Sequence, residues 1–344
     1  MASTVADTSW RVAVVGCGSI GKRHIRNLLE LKVGHVVGVD PRPERRRDVA
    51  AALGIDTVSA LAGVPPGAVD VAVITAPTSL HVPLALQAAR RGCHLFIEKP
   101  LADDAAGLGE LMAAVAGNDL VTLVGCNMRF HFGPRTIKAL LDDGAVGRVI
   151  AARAEFGQYL PDWHPWEDYR LGYSARRELG GGIVLDAIHE IDYLRWMLGE
   201  VDTVACFGGK LSALEIDTED VAAMLLRFAS GAIGEIHVDY VQRVATRQCR
   251  IIGEEGTLQW DASTGEVRHY SAARAGWATF RPAASFDVND MYVAEMEHFL
   301  ACLERRECAQ QDVAEGVRVL EVALAAKRSA ATGQAVRLGG CHGA

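Results

Sequence analysis

The sequence predicts an α/β chain in two parts: a doubly wound parallel sheet, then a second α/β domain whose strands read as mainly antiparallel. Three observations predict it. Up to about residue 125, short runs that are apolar on both faces alternate with helical patterns of roughly 10–15 residues, as in a parallel sheet covered on both sides. A glycine-rich turn, Gly16-Cys17-Gly18-Ser19-Ile20-Gly21, joins the first strand to the first helix. After Cys126 the alternation stops, and strand-like segments follow one another across turns such as Ser230-Gly231 and Glu255-Gly256. With 344 residues, 50% of them hydrophobic, the chain is long enough for two cores. The expected domains are 1–125 and 126–344.

Each element has a local reason. Arg11 to Val15 is a β-branched run, and the helix after the glycines runs to about Leu31. Val36 to Val39 is the second strand. Pro43 to Leu53 is a helix, with Glu44 in its first turn and Gly54 as its stop. Val69 to Thr75 is a strand, Leu80 to Arg91 a helix ended by Gly92, and His94 to Ile97 the next strand. Asp103 or Asp104 is expected to cap a helix reaching about Ala116, and Leu120 to Gly125 completes the first sheet. In the second domain Pro134 to Leu141 is helical. Strands are expected at Val149 to Phe156, Val204 to Lys210, Val221 to Phe228, Ala232 to Tyr240 and Gln248 to Gly253. Helices at Met291 to Glu304 and Asp312 to Ala331 close the chain, the latter with Val313, Val317, Leu320 and Leu324 on one face.

Composition narrows the function. A net charge of −8 argues against a general nucleic-acid binder. No apolar run approaches the ~18 residues of a membrane span, and the first ten residues carry no secretory signal, so a cytoplasmic protein is expected. The eight cysteines are scattered without a CxxC pair, as expected of core residues in a reducing compartment. No HExxH or other ligand spacing points to a metal.

The glycine turn has the context of a dinucleotide fingerprint. A strand precedes it, a helix follows, and Asp40 lies nineteen residues past Gly21 at the end of the second strand. Gly16 permits the tight turn, Gly18 lets the backbone approach a pyrophosphate, and Gly21 lets helix and strand pack closely. Amides at Ser19 and Ile20, at the helix start, would hold the anion. Asp40 accepts from ribose hydroxyls and repels a 2′-phosphate, which favours NAD. Arg42, two residues on, keeps NADP as the alternative. Arg45, Arg46 and Arg47 read as the solvated face of a helix. At the end of the next strand Thr75, Ala76 and Pro77 are small enough to let a nicotinamide ribose cross. His81 is a candidate cofactor contact, weighed against an ordinary helix start.

Lys99 is the most informative residue. It ends a buried strand, between Glu98 and Pro100, where ligands sit in open α/β sheets, and a desolvated lysine is costly unless it is used. In the second domain Gly180-Gly181-Gly182 leads into a stretch read as one helix, Ile183 to Trp196. That helix would put Asp186, His189 and, roughly, Tyr193 on one face.

These segments (GCGSIGKRH, TAPTSLH, FIEKPLADD and GGGIVLDAIHEIDYLRW) resemble the Gfo/Idh/MocA oxidoreductases, the glucose–fructose oxidoreductase and inositol dehydrogenase relatives, in order and in spacing over nearly the whole chain. The resemblance implies an N-terminal Rossmann domain and a C-terminal α/β domain with an open, mainly antiparallel sheet. It also implies a homodimer or homotetramer formed largely through that sheet. It implies hydride transfer between a nicotinamide and a secondary hydroxyl or ketone. His189 would be general acid/base, Lys99 would hydrogen-bond the reacting oxygen, and Asp186 would orient one of them or touch the sugar. Glu98 and Arg129 are carried over as cofactor-side residues. The chain departs from the family twice. The acid lies three residues before the histidine instead of four, and Thr78 stands where many members have asparagine.

The substrate reading is a sugar, sugar-nucleotide or cyclitol. The aromatic and polar loop Tyr159 to Arg170 supplies Trp163, His164, Trp166 and Arg170 as candidates, with Tyr173 and Tyr240 beside them. Two alternatives share the fold: a glycoside hydrolase that uses NAD for transient oxidation, and a non-enzymatic sugar or NAD sensor.

Overall fold

The computed structural model describes residues 8–339 except His164. The described residues form two compact units, 8–127 with 289–317, and 128–288 with 318–339.

The first unit contains β1 (Thr8–Val15), α1 (Ser19–Glu30), β2 (Val33–Val39), α2 (Pro43–Leu53), β3 (Asp56–Val58), β4 (Val71–Ile74), α3 (His81–Ala89), β5 (His94–Glu98), α4 (Leu108–Gly117) and β6 (Thr122–Gly125). The six strands pair in parallel in the order β3-β2-β1-β4-β5-β6. Every residue of β4, β5 and β6 is buried, as required of strands packed on both faces. In α1, Gly21, His24, Ile25 and Leu28 fall on the face turned to the sheet, at the spacing of an amphipathic helix. In α2, Pro43 sits at the N-terminus and Gly54 ends the helix in the left-handed region, at φ 68°.

Two expectations shift here. β3 is a three-residue strand with no sequence signal of its own. Helix α4 begins at Leu108 and not after Asp103 or Asp104. Asp104 instead accepts the amide of Ala106 at 2.7 Å, a local turn that competes with helix.

The second unit holds α5 (Phe132–Asp142), β7 (Val149–Gly157), α6 (Ile183–Asp186), α7 (Ile188–Leu198), β8 (Val201–Gly209), β9 (Val221–Phe228), β10 (Ile233–Asp239), β11 (Thr246–Gly253), β12 (Gly256–Asp261), β13 (Glu266–Ser271) and β14 (Gly276–Phe280). Two helices, α8 (Asn289–Arg305) and α9 (Val313–Thr332), follow, and β15 (Val336–Arg337) is the last element among the described residues. A nine-stranded sheet runs β14-β13-β12-β11-β7-β10-β9-β8-β15, antiparallel except between β7 and β10. Residues of β9 alternate between buried and exposed or half-exposed, so one face is covered and the other open.

Helix α8 lay in the 126–344 domain of the sequence reading, but it packs into the first unit. Its residues Met296, Phe299, Leu300 and Leu303, spaced for one helical face, join Val12, Val14, Phe96 and Leu123 in a single apolar core. The stretch read as one helix after the triple glycine is two, broken at Ala187 with φ −90° and ψ 31°. Among the described residues no helix is long and apolar enough to cross a membrane.

Candidate active site

The first unit gathers the glycine loop and the ends of β1, β2, β4 and β5. Gly16 has φ +110°, and a Cβ there would lie 2.6 Å from the carbonyl oxygen of Thr75. A Cβ on Gly21 would lie 1.9 Å from the oxygen of Gly16, so helix and strand approach as the fingerprint requires. Gly18 differs: a Cβ there would meet only an Arg45 guanidinium nitrogen, at 3.6 Å. No side chain caps the N-terminus of α1. An uncapped helix start beside open space over a glycine fits a dinucleotide pyrophosphate.

Asp40 is 2% exposed. Its carboxylate accepts the amides of Cys17 at 2.9 Å and Arg42 at 2.8 Å, which ties the end of β2 to the glycine loop. The expectation that Arg45, Arg46 and Arg47 form a purely solvated face is corrected, because two of them turn to the end of β2. Arg45 reaches to 3.6 Å from the Asp40 carboxylate, and Arg46 donates to the Asp40 carbonyl at 2.7 Å. The hydroxyl of Thr75 donates to the Gly16 carbonyl at 2.7 Å, so the ends of β1 and β4 are fixed together. His81 is buried between two carbonyl oxygens, of Ala76 and Pro100, each 2.8 Å from a ring nitrogen. Burial lowers its pKa from the ordinary value, and the two carbonyls oppose that. A cofactor contact by His81 would have to displace one of these bonds.

Glu98 and Lys99 follow at the carboxyl end of β5, and the Lys99–Pro100 peptide is cis. The Glu98 carboxylate receives His24 Nε2 at 2.7 Å through one oxygen and the Lys99 amide at 3.1 Å through the other. Tyr292, from α8, stands near this pair. Burial and the Glu98 charge raise its pKa, Arg23 and Lys99 oppose the rise, and the Arg23 guanidinium lies 4.4 Å from its ring centre. Sequence reading passed over both His24 and Tyr292. His24 had a signal, its place three residues after Gly21 on the buried face of α1. Tyr292 had none, because α8 returns from the far end of the chain.

In the second unit Asp186 sits among hydroxyls. It accepts from Tyr173, from Ser174 at 2.6 Å and from Tyr240 at 3.0 Å. Tyr240 is fully buried, and burial followed by the Asp186 charge holds its pKa well above the ordinary value. His189 is 6% exposed, on the first turn of α7. Arg129 forms a buried pair with Asp192, with Nε 3.0 Å from one carboxylate oxygen and Nη2 2.6 Å from the other. Its guanidinium is thereby engaged inside the second unit. Glu190 is buried against Arg247 at 2.8 Å.

The remaining substrate candidates part company. Trp163, half-buried, packs edge-on against Phe156 and Tyr240 and donates to the Gln158 carbonyl at 3.2 Å. Trp166 is 76% exposed. Arg170 is held at the surface by Asp168 and Glu215. His164 lies outside the described residues. Among the described residues no group of three or more side chains could hold a metal ion.

Comparison with known proteins gives a consistent answer. The model described as "Oxidoreductase family, NAD-binding Rossmann fold" matches residues 10–126, and the "GFO/IDH/MocA C-terminal domain" matches residues 135–259. A 1,5-anhydro-D-fructose reductase from Ensifer adhaerens is 27% identical over 95% of this chain and 98% of its own. The scyllo-inositol 2-dehydrogenase (NAD(+)) of Bacillus subtilis is 28% identical over 95% of this chain and 96% of its own. Among solved structures, GenD2 from gentamicin A biosynthesis, in complex with NAD, superposes with a TM-score of 0.83 at 27% identity over 97% of both chains.

Proposed function

Because the chain belongs to the Gfo/Idh/MocA family of NAD-binding oxidoreductases, we propose that it moves a hydride between NAD and a secondary hydroxyl or ketone of a sugar or cyclitol. The observation that carries this reading is Lys99, placed at the carboxyl end of β5 by a buried Glu98 in the same unit as an intact glycine loop. Relatives named as inositol dehydrogenase and anhydrofructose reductase support the substrate class.

Bound nicotinamide supplies the hydride acceptor or donor. Gly18 and the start of α1 would hold the pyrophosphate, and Asp40 the adenosine ribose. Lys99 Nζ would hydrogen-bond the reacting oxygen and stabilise alkoxide charge as it develops. His189 would take the hydroxyl proton in oxidation and return it in reduction, a task suited to imidazole near neutral pH. In this reading Asp186 shapes the second unit's site through Tyr173, Ser174 and Tyr240, and orients neither proton-handling residue directly.

The test is NADH formation with a panel including myo-inositol, scyllo-inositol and levoglucosan, and NADH consumption with 1,5-anhydro-D-fructose. Lys99→Met is expected to lose about 100-fold or more in kcat and to keep its affinity for NAD. Full turnover by that variant refutes the assignment. Glycosidic cleavage without net NADH would move the protein to the hydrolase alternative.

The assembly proposed is a homodimer or homotetramer. The open sheet face carries Phe207, Leu225, Ile233, Ile252 and Trp277, all exposed, and a second copy of the same face is the partner that would cover them.

A further inference from the structure

We infer that His24 is a positioning residue for Lys99, acting through Glu98. The inference rests on the catalytic reading of Lys99 given above. His24 lies on the same helix whose start would meet the cofactor, and it is fully buried. Its Nε2 stands 2.7 Å from one Glu98 oxygen, and the other oxygen of that carboxylate accepts the Lys99 amide at 3.1 Å. Both bonds meet on one carboxylate at a strand end, so the rotamer of Glu98 and the backbone at Lys99 are set together.

The surroundings leave Glu98 little freedom. A Cβ on Gly125 would come within 3.3 Å of the Glu98 carboxyl carbon, so the last residue of β6 closes one side. The Phe96 ring packs edge-on against His24 at 4.9 Å between centres, and Tyr292 at 6.2 Å, which fixes the imidazole plane. Among the described residues Nδ1 of His24 has no hydrogen-bond partner. A buried N–H left unpaired is costly, so the ring's proton belongs on Nε2, where it donates to Glu98. The bond therefore has a direction: His24 gives and Glu98 receives. A carboxylate fixed by two donors keeps its rotamer, and with it the backbone from which the Lys99 side chain departs.

Two variants test this in the full chain. His24→Leu removes the donor, and His24→Gln keeps an N–H that can reach Glu98. The chain has six lysines, so after reductive methylation with carbon-13 formaldehyde the Lys99 signal can be assigned by its loss in Lys99→Arg. The expected result is a moved Lys99 signal in His24→Leu, restored in His24→Gln, with calorimetric affinity for NAD within about threefold throughout. Turnover of the best sugar is expected to fall at least tenfold in kcat at unchanged KM in His24→Leu, and to recover in His24→Gln. An unmoved Lys99 signal in His24→Leu overturns the inference. So does a parallel loss of NAD affinity, which would make His24 a support of the glycine loop alone. If no sugar is turned over even by the wild type, the functional reading fails while the Lys99 signal still decides the role of His24. If His24→Leu does not fold, Glu98→Ala cuts the same link from the other end and is read by the Lys99 signal alone, an unmoved signal again overturning the inference.

Discussion

Alanine at Gly18 and at Gly21 should have opposite consequences, although the two lie three residues apart in one fingerprint. At Gly21 the new Cβ would fall 1.9 Å from a backbone oxygen of Gly16, which no rotamer change relieves. Overpacking against backbone costs about 1–3 kcal/mol, and this contact belongs at the upper end. For a unit of this size a loss of about 3 kcal/mol lowers the melting temperature by about 6–12 °C. At Gly18 the backbone is extended, φ −71° and ψ −166°, a conformation open to alanine. The nearest atom to its Cβ is an Arg45 nitrogen at an ordinary 3.6 Å, so stability should change by no more than about 0.5 kcal/mol. The Cβ would instead occupy the space through which a pyrophosphate approaches the backbone. A loss of at least tenfold in NAD affinity is expected, about 1.4 kcal/mol. Differential scanning calorimetry and titration calorimetry with NAD read the two effects separately. If Gly18→Ala binds NAD within twofold of the wild type, the glycine loop is not the anion cradle, and the cofactor geometry argued from it fails.

Other perturbations follow from single contacts. His131 caps α5 by accepting the Gly133 amide, and burial, then Arg247, push its pKa down to about 4. Its folded value is below the unfolded 6.5, so the neutral form's contribution is complete above pH 6.5 and is lost as pH falls toward 4. That gap corresponds to about 3 kcal/mol. Urea unfolding at pH 7 and pH 4.5 should show most of this slope, and His131→Gln should flatten it. Arg129→Met leaves the Asp192 carboxylate buried without its guanidinium and should cost about 3–5 kcal/mol, most of it recovered in Arg129→Met/Asp192→Leu. A loss below about 1 kcal/mol in denaturant titration would contradict that. Leu225→Glu on the open sheet face should convert an oligomer into a monomer by light scattering. An unchanged mass would place the subunit contact elsewhere.

The first sheet was legible because its signals are local. Strands buried on both faces, a glycine turn and Asp40 sit close together in sequence, and the doubly wound order follows from them. The second unit resisted for the opposite reason. Strand β13, with the sequence Glu266-Val267-Arg268-His269-Tyr270-Ser271, is polar enough to pass for a loop and becomes a strand by pairing with β12 and β14. The partners of Asp186 are Ser174, Tyr173 and Tyr240, at 12, 13 and 54 residues' separation, and no helical spacing reveals them. Reading Ile183 to Trp196 as one helix placed Asp186 on the face of His189. The break at Ala187 removes the basis for that alignment.

That break bears on which side chain handles the proton. The segment from Asp186 to Arg195 is crowded with titratable groups, and most are committed within the second unit. Asp186 accepts from three hydroxyls. Glu190 pairs with Arg247, Asp192 with Arg129, and Arg195 with Glu200 at 3.0 Å. Tyr193 is fully buried, edge-on to Trp260, and burial followed by the Glu190 charge holds its hydroxyl well above its ordinary pKa. A carboxylate in a buried pair gives up its charge only at the expense of its partner's desolvation, which makes it a poor proton shuttle. His189 is the remaining group whose ordinary pKa lies near neutral pH. Its proposed role as general acid/base rests on that chemistry and on likeness to the family. Ion-pair variants along the segment should lose stability, whereas His189→Asn should lose turnover with its unfolding midpoint kept.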